Sequence, residues 1–322
     1  MRCRALCAAV AVLGAVAAHA QPDAFPSRPV RVVVGLAPGG ATDIQARLFA
    51  QKLTESLGRP FVVENRAGAG GTIAYGIVAK SPADGYTLVA AAGGFSTTPL
   101  FYSNLQYDPL KSFAPLSLLV QSPFLLMVHP SLPVKSVKEL VALARARPAS
   151  IDFGSAGHGT STGLALDLFT HMAGVKITHV PYRGIGPVLV DVLAGQVHGL
   201  FGNPLSSLVY VKAGRLRALA VSSAKRAAVL PELPTVAEAG VADYESITWH
   251  GWLAPAGTPA TVVGRLNGEL MKAARATDLA GKLAADGGEP VGSTPAEFAQ
   301  HIAAELARWR KVVRKTGVPT EQ

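Results

Sequence analysis

The chain has 322 residues, a formal net charge of +9, 16% charged and 49% hydrophobic residues, 33 Gly, 23 Pro and 2 Cys. Charge well below the roughly 25% of ordinary soluble proteins, with so much glycine and proline, excludes both a disordered chain and a coiled coil, and the length suits two domains. The basic residues are dispersed without interleaved stacking aromatics, so the positive charge does not mark a nucleic-acid binder.

Residues 1–20 read as a cleavable secretory signal, with Arg2 and Arg4 before an apolar run from Ala5 to Ala17 and an A-x-A site at Ala18-His19-Ala20. That run is shorter than the ~20 residues needed to span a bilayer, and no later segment is longer, so the expected location is periplasmic. Cleavage takes two of the 30 basic residues and no acidic one, which lowers the charge from +9 to +7. It also removes Cys3 and Cys7, so no thiol, disulfide or Cys-based metal site is expected in the mature chain. Cys7 stands at the start of the apolar run rather than after it, which argues against a lipid anchor.

From Pro29 onward, β-branched apolar runs alternate with amphipathic stretches, the pattern of an α/β protein with mostly parallel sheets. Val30 to Val34 is a strand, Gly35 to Gly40 a loop, and Ile44, Leu48, Leu53 and Leu57 mark a helix that Gly58 ends. Phe61 to Val63 is a second strand, followed by a glycine loop ending at Gly71 and another helical stretch; Tyr86 to Ala92 is a third strand. A second series begins with the strand Phe124 to Val128, and Ser136-x-x-Glu139 is a capping box opening a helix through Ala146. Ile151 to Phe153 then feeds the loop Gly154 to Thr160. Further units are Lys176 to Val180, a helix Pro187 to Leu193, Gly199 to Gly202, and Arg217 to Val221, after which Thr235-x-x-Glu238 caps a short helix stopping at Gly240.

The tail is helical. Thr258-Pro259 opens a helix to about Arg275, and Thr294-Pro295-x-Glu297 opens another whose apolar face, Phe298, Ile302, Leu306, Trp309 and Val313, is expected to dock on the first lobe. Residues 21–122 plus 251–322 are expected to form lobe one and 123–250 lobe two. Two crossover segments then act as a hinge.

Three glycine loops invite phosphate-site readings and fail in detail. Gly35-x-x-x-x-Gly40-Ala41-Thr42 and Gly154-x-x-x-x-Gly159-Thr160-Ser161 lack the lysine an ATP site needs. In Gly68-Ala69-Gly70-Gly71-Thr72-Ile73, isoleucine stands where the third glycine of a dinucleotide fingerprint belongs. Each loop still offers free N–H groups and the positive end of a helix dipole at the carboxyl end of a strand, where α/β folds hold anions. Any one of them also reads as a tight strand-to-helix turn; two of them, one in each lobe, point to a shared cleft.

Single residues leave alternatives open. Asp43 either complements the dipole of its helix or meets a ligand amine or hydroxyl. His158 sits at a loop tip, exposed or in contact with ligand, and Arg183 is either a carboxylate fork or a surface arginine. There is no H-E-x-x-H, no G-x-S-x-G and no histidine cluster at metal spacing, and Ser222-x-x-Lys225 matches a β-lactamase dyad by letters only. No enzyme activity, cofactor or metal is expected.

Taken in order, the segments FPSRPVRVVVGLAPGGATD (Phe25 to Asp43), ENRAGAGGTIA (Glu64 to Ala74), ADGYTL (Ala83 to Leu88), FGSAGHGTSTGL (Phe153 to Leu164), HVPYRGIGP (His179 to Pro187), GRLRALAV (Gly214 to Val221), LPTVAEAG (Leu233 to Gly240) and APAGTP (Ala254 to Pro259) resemble the extracytoplasmic solute-binding receptors of tripartite tricarboxylate transporters, the Bug-type, TctC-like family. The resemblance covers essentially the whole mature chain. It implies a two-lobed periplasmic-binding-protein (Venus flytrap) fold with a small carboxylate between the lobes. The ligand's carboxylates are then held by Leu36, Pro38, Gly39, Gly40 and Asp43 in one loop and by Ser155, Gly157, His158, Gly159, Thr160, Ser161 and Thr162 in the other, largely through backbone N–H groups, hydroxyls and ordered waters. Gly71, Thr72, Tyr182, Arg183 and Gly184 are implied as supporting walls, with Asn203 as a further contact. The implied partners are membrane permease subunits, and the implied state is a monomer. Gly163 stands where many members have histidine, and Leu36 where many have phenylalanine. The rival readings are a ligand sensor that signals to a membrane receptor, and an exported hydrolase.

Overall fold

Strand β1 (Val30–Val34), buried on both faces, runs into a glycine turn and helix α1 (Ala41–Leu57), and β2 (Phe61–Asn65) follows it in this computed structural model. The structure describes residues 25–285 and 287–316, and the expected signal segment lies outside them. Gly58 closes α1 with φ 68°, a left-handed conformation that favours glycine. The chain continues through α2 (Thr72–Ala79), β3 (Thr87–Ala92), the short α3 (Gly94–Thr97) and the long β4 (Phe113–Pro123). It then crosses to β5 (Leu125–Val128), α4 (Val137–Ala146), β6 (Asp152–Ser155), α5 (Ser161–Ala173), β7 (Thr178–Pro181), α6 (Ile185–Leu193), β8 (Gly199–Gly202), α7 (Pro204–Lys212) and β9 (Arg217–Val221). Strand β10 (Ile247–Pro255) brings it back, followed by α8 (Ala260–Arg275), α9 (Thr277–Ala285), β11 (Glu289–Pro290) and α10 (Pro295–Thr316).

The strands form two sheets, ordered β11-β4-β10-β3-β1-β2 and β7-β6-β8-β5-β9. Both are mixed rather than mostly parallel. The βαβ units pair in parallel (β1 with β2 and β3, β6 with β7 and β8), but the strands beside each crossover run antiparallel: β10 against β3 and β4, β5 against β8 and β9. A strand that arrives directly from the other lobe has no helical crossover to turn it parallel. The first sheet also takes in Pro123 and residues 247–250, which were expected in the second lobe. Another expectation fails near Thr235. Its reciprocal bonds with Glu238, each 3.0 Å, close a turn and no helix forms there.

Each lobe has its own core. In the first, Phe49 and Leu53 of α1 pack with Val32, Trp252 and the α8 residues Leu266 and Leu270, while Phe298 and Ile302 of α10 cover the opposite sheet face at Trp249 and Leu253. In the second, Phe153, Phe169, Phe201 and Tyr244 form one layer and Leu125, Met127, Val188 and Leu200 the other. Each such side chain contributes about 1.5–3 kcal/mol by leaving water. Helix α10 does more than dock on the first lobe: its Trp309 packs with Phe101 and with Leu164 of α5, so it touches both lobes.

Candidate functional site

The loops at the carboxyl ends of β1 and β6 both border one cavity. In the first loop, Gly40 caps α1 without any side-chain hydrogen bond, so first-turn N–H groups of the helix stay open to a ligand. Asp43, 5% exposed, accepts from the Gly39 N–H (3.1 Å), Arg47 Nε (3.1 Å) and Asn65 Nδ2 (3.0 Å), and Asn65 also donates to the Leu36 carbonyl (2.9 Å). Burial raises the Asp43 pKa, but these hydrogen bonds and the Arg47 charge outweigh it and hold the carboxyl below its usual range. Asp43 therefore works as an ionised brace of its loop.

The second loop is built of hydroxyls. Thr160 Oγ1 caps α5 by accepting from the Gly163 N–H (3.3 Å) and donates to the Gly157 carbonyl (2.6 Å), while Thr162 Oγ1 accepts from the Ala156 N–H (3.0 Å). Ser155 Oγ accepts from the Gly157 N–H (3.0 Å) and bonds His179 Nε2, and the His179 ring meets the His158 ring edge-on at 4.6 Å.

The lobes are closed on each other. The Ala37 N–H donates to the Arg183 carbonyl (2.8 Å), Thr97 Oγ1 to the Gly159 carbonyl (2.7 Å), Thr248 Oγ1 to Ser161 Oγ (3.2 Å), and Asn203 Nδ2 to Ser122 Oγ. Glycine permits the approach at two points. A Cβ on Gly184, at φ 150°, would stand 2.7 Å from the Ala37 nitrogen, and one on Gly186 would stand 2.0 Å from the Pro38 carbonyl oxygen.

Between the lobes lies a cavity with about 580 Å³ of space, part of it continuous with solvent. Of the expected site residues, Leu36, Gly40, Asp43, Thr160, Ser161, Thr162 and Asn203 line it. Pro38, Gly39 and Tyr182 line a separate outer groove; there burial and the neighbouring Asp191 carboxylate, 2.6 Å away, push the Tyr182 hydroxyl up to about 12. Ser155, Gly157 and Gly159 support the second loop, Gly159 lying against the Phe101 ring. His158 is half-buried, Thr72 Oγ1 donates to the Ala69 carbonyl, and Gly71 begins α2 with φ 99°. Arg183 is exposed, and its carbonyl, not its guanidinium, makes the bond to the other lobe.

Sequence reasoning missed part of the wall. Phe124, Ala156, Ile185, Tyr75, Thr248 and His250 also line the cavity. The apolar members read as ordinary core, and His250 falls between the matching segments. Burial pushes His250 down to about 4, so it is neutral at ordinary pH, and no Lys or Arg is part of the cavity lining. Among the described residues, no group of three or more His, Asp or Glu is placed to hold a metal, and no helix is long and apolar enough to cross a membrane.

Two α/β lobes, joined by crossover segments and closed over a cavity between two helix N-termini, define a two-lobed solute-binding protein of the periplasmic-binding class. The family model described as tripartite tricarboxylate transporter family receptor matches residues 45–318, and the chain belongs to that family. Among curated relatives, a protein encoded in the tcbD–tcbE intergenic region of Pseudomonas sp. strain P51 is 41% identical over 90% of this chain and 87% of its own length. Protein BugT of Bordetella pertussis is 37% identical over 94% and 93%. Among solved structures, R. palustris Rpa4515 with adipate superposes with a TM-score of 0.89 at 42% identity, covering 91% of this chain and 98% of that one. MatC from Rhodopseudomonas palustris, with bound malate, gives 0.86 at 32% identity over 90% and 100%.

Proposed function

We propose that the protein is the exported, periplasmic receptor of a tripartite tricarboxylate-type transporter. It captures a small carboxylate between its lobes as a monomer, without catalysis, and hands it to membrane permease subunits. The observation that carries this reading is the pair of helix N-termini, α1 behind Gly40 and α5 behind Thr160, that border one cavity whose lining contains no Lys or Arg. An anion there is met by backbone N–H groups and helix dipoles rather than by a counter-charge. The similar proteins Rpa4515 and MatC, with adipate and malate, support a carboxylate as the ligand. The predominantly apolar remainder of the wall, with Leu36, Phe124, Ala156 and Ile185, suits a ligand with an aliphatic body.

A dissociation constant near ~1 µM corresponds to about −8 kcal/mol. Several charge-assisted hydrogen bonds at roughly 1.5–3 kcal/mol each supply that after the cost of immobilising ligand and lobes. The ligand stabilises the closed form to the extent that it binds that form better than the open one.

Titration calorimetry on protein unfolded and refolded to strip bound ligand, with a panel of mono-, di- and tricarboxylates, acidic amino acids and aromatic acids, tests the reading. Saturable binding of at least one acid is expected, and no binding across the panel would overturn it. Thr160→Ala removes the α5 cap and should weaken the bound acid about tenfold while costing the fold only about 1 kcal/mol. Unchanged affinity in that variant would take the start of α5 out of the site.

A further inference from the structure

Behind the ligand cavity lies a second, much smaller space between α1 and the first sheet, lined by Thr42, Gln45, Phe49, Leu119, His250 and Trp252, among others. Thr42 and His250 form the wall it shares with the ligand cavity. Two side-chain atoms of its lining are buried without a hydrogen-bond partner: Gln45 Oε1, on a residue 3% exposed, and His250 Nδ1, on a residue 6% exposed. Buried polar atoms in native proteins almost always have a partner, in the protein or in ordered water. The space leaves about 10 Å³ for the centre of a water-sized body, at the lower limit of what holds one water, and offers it the two to four polar neighbours such a water needs.

We propose that one buried water bridges Gln45 Oε1 to His250 Nδ1, and that the imidazole so fixed is a specificity-determining residue of the ligand cavity, selecting acids that carry a second oxygen acceptor. This rests on the receptor reading above and adds the ligand's second functional group to it.

In the proposed contact His250 is the Nε2–H tautomer, and this assignment sets its polarity. Gln45 Oε1 only accepts, so the water donates one hydrogen to it. The other hydrogen goes to the Nδ1 lone pair, and the Thr42 hydroxyl, on the shared wall, is free to donate to the water's oxygen. With Nδ1 accepting, the neutral ring carries its single proton on Nε2, which leaves an N–H donor for the ligand cavity. Burial keeps the ring uncharged, so discrimination comes from hydrogen bonding rather than from charge. An acid with a second carboxylate or a carbonyl oxygen satisfies this donor. A simple monocarboxylate leaves it unpaired and is rejected, because a site built to hydrogen-bond a group discriminates strongly against the analogue that lacks it.

The test compares two matched pairs, adipate with hexanoate and succinate with butyrate, by calorimetry on ligand-stripped parent, His250→Phe and Gln45→Leu. The parent should prefer the dicarboxylate of a pair by roughly tenfold or more, His250→Phe should lose that preference to within about twofold, and Gln45→Leu should reduce it part of the way. A parent that favours the monocarboxylate, or a His250→Phe variant with the parental ratio, overturns the proposal and leaves the receptor reading standing. If neither pair nor the wider panel binds to the parent, the receptor reading falls and this proposal with it. Should His250→Phe fail to fold, a high-resolution crystal structure of the parent decides. A water within hydrogen-bond distance of both atoms is expected, and a direct Gln45–His250 bond with no water overturns the proposal.

Discussion

A Gly186→Ala variant is expected to bind its carboxylate at least about 100-fold more weakly than the parent, a loss of about 2.7 kcal/mol, while its melting temperature stays level or rises. Gly186 is the second residue of α6, and only its place against the first lobe demands glycine. A Cβ there would stand 2.0 Å from the Pro38 carbonyl oxygen and 3.6 Å from the Gly39 Cα, and these are backbone atoms that cannot swing aside. The α6 backbone accepts alanine, which is a better helix former than glycine by up to about 1 kcal/mol. The added methyl is therefore harmless to the separated lobes and incompatible with the closed arrangement. Ligand binding then has to proceed without the Ala37–Arg183 backbone bond nearby. Calorimetry measures the affinity, and small-angle scattering shows whether ligand still compacts the molecule. Parental affinity with parental compaction would mean that this contact is no part of the bound state.

Acid should weaken the fold through His250. Its folded-state pKa, about 4, lies below the ordinary 6.5 because burial disfavours the cation. Between those two values the unfolded chain binds a proton that the folded protein refuses, so stability rises with pH across that window. The contribution is intact above about pH 6.5 and is lost at up to ~1.4 kcal/mol per unit as pH falls towards 4, a total of about 3 kcal/mol. His301 is shifted in the same direction, chiefly by burial, so the parental curve contains both histidines. The difference between parent and His250→Gln isolates one. Urea unfolding at pH 7, 6, 5 and 4 should show a shallower decline in the variant; parallel curves would mean that His250 is not held neutral.

The strand-to-helix loops were the most legible part of the sequence, because glycine punctuates them and the helices behind them carry clear periodicity. Gly35 to Gly40 leads into α1 and Gly154 to Thr160 into α5 as expected. Strands β4 and β10 were not foreseen. In β10 every residue after Ile247 is buried, so the alternation that betrays a half-exposed strand is absent. Without these two strands the crossovers fell slightly out of place, and the antiparallel centre of the first sheet went unseen. The site divides in the same way. Loop residues such as Thr160 and Gly40 announce themselves, whereas Phe124 at a crossover, Ile185 at a helix start and His250 inside a strand meet only when both sheets are formed. Nor does a residue type disclose its direction. Asp43, which reads either as a dipole complement or as a ligand contact, braces its own loop and also lines the cavity, and Ser155 braces the second loop.

The position of Trp309 gives the molecule an internal indicator of its own state. The indole is 4% exposed, held by Glu305 on its own helix and covered by Phe101 and by Leu164 from the opposite lobe. Trp249 and Trp252 belong to the first lobe's cores. Opening the lobes withdraws Leu164 and wets one tryptophan out of three. Emission should therefore report closure without any attached label, in the same cuvette in which the ligand is added.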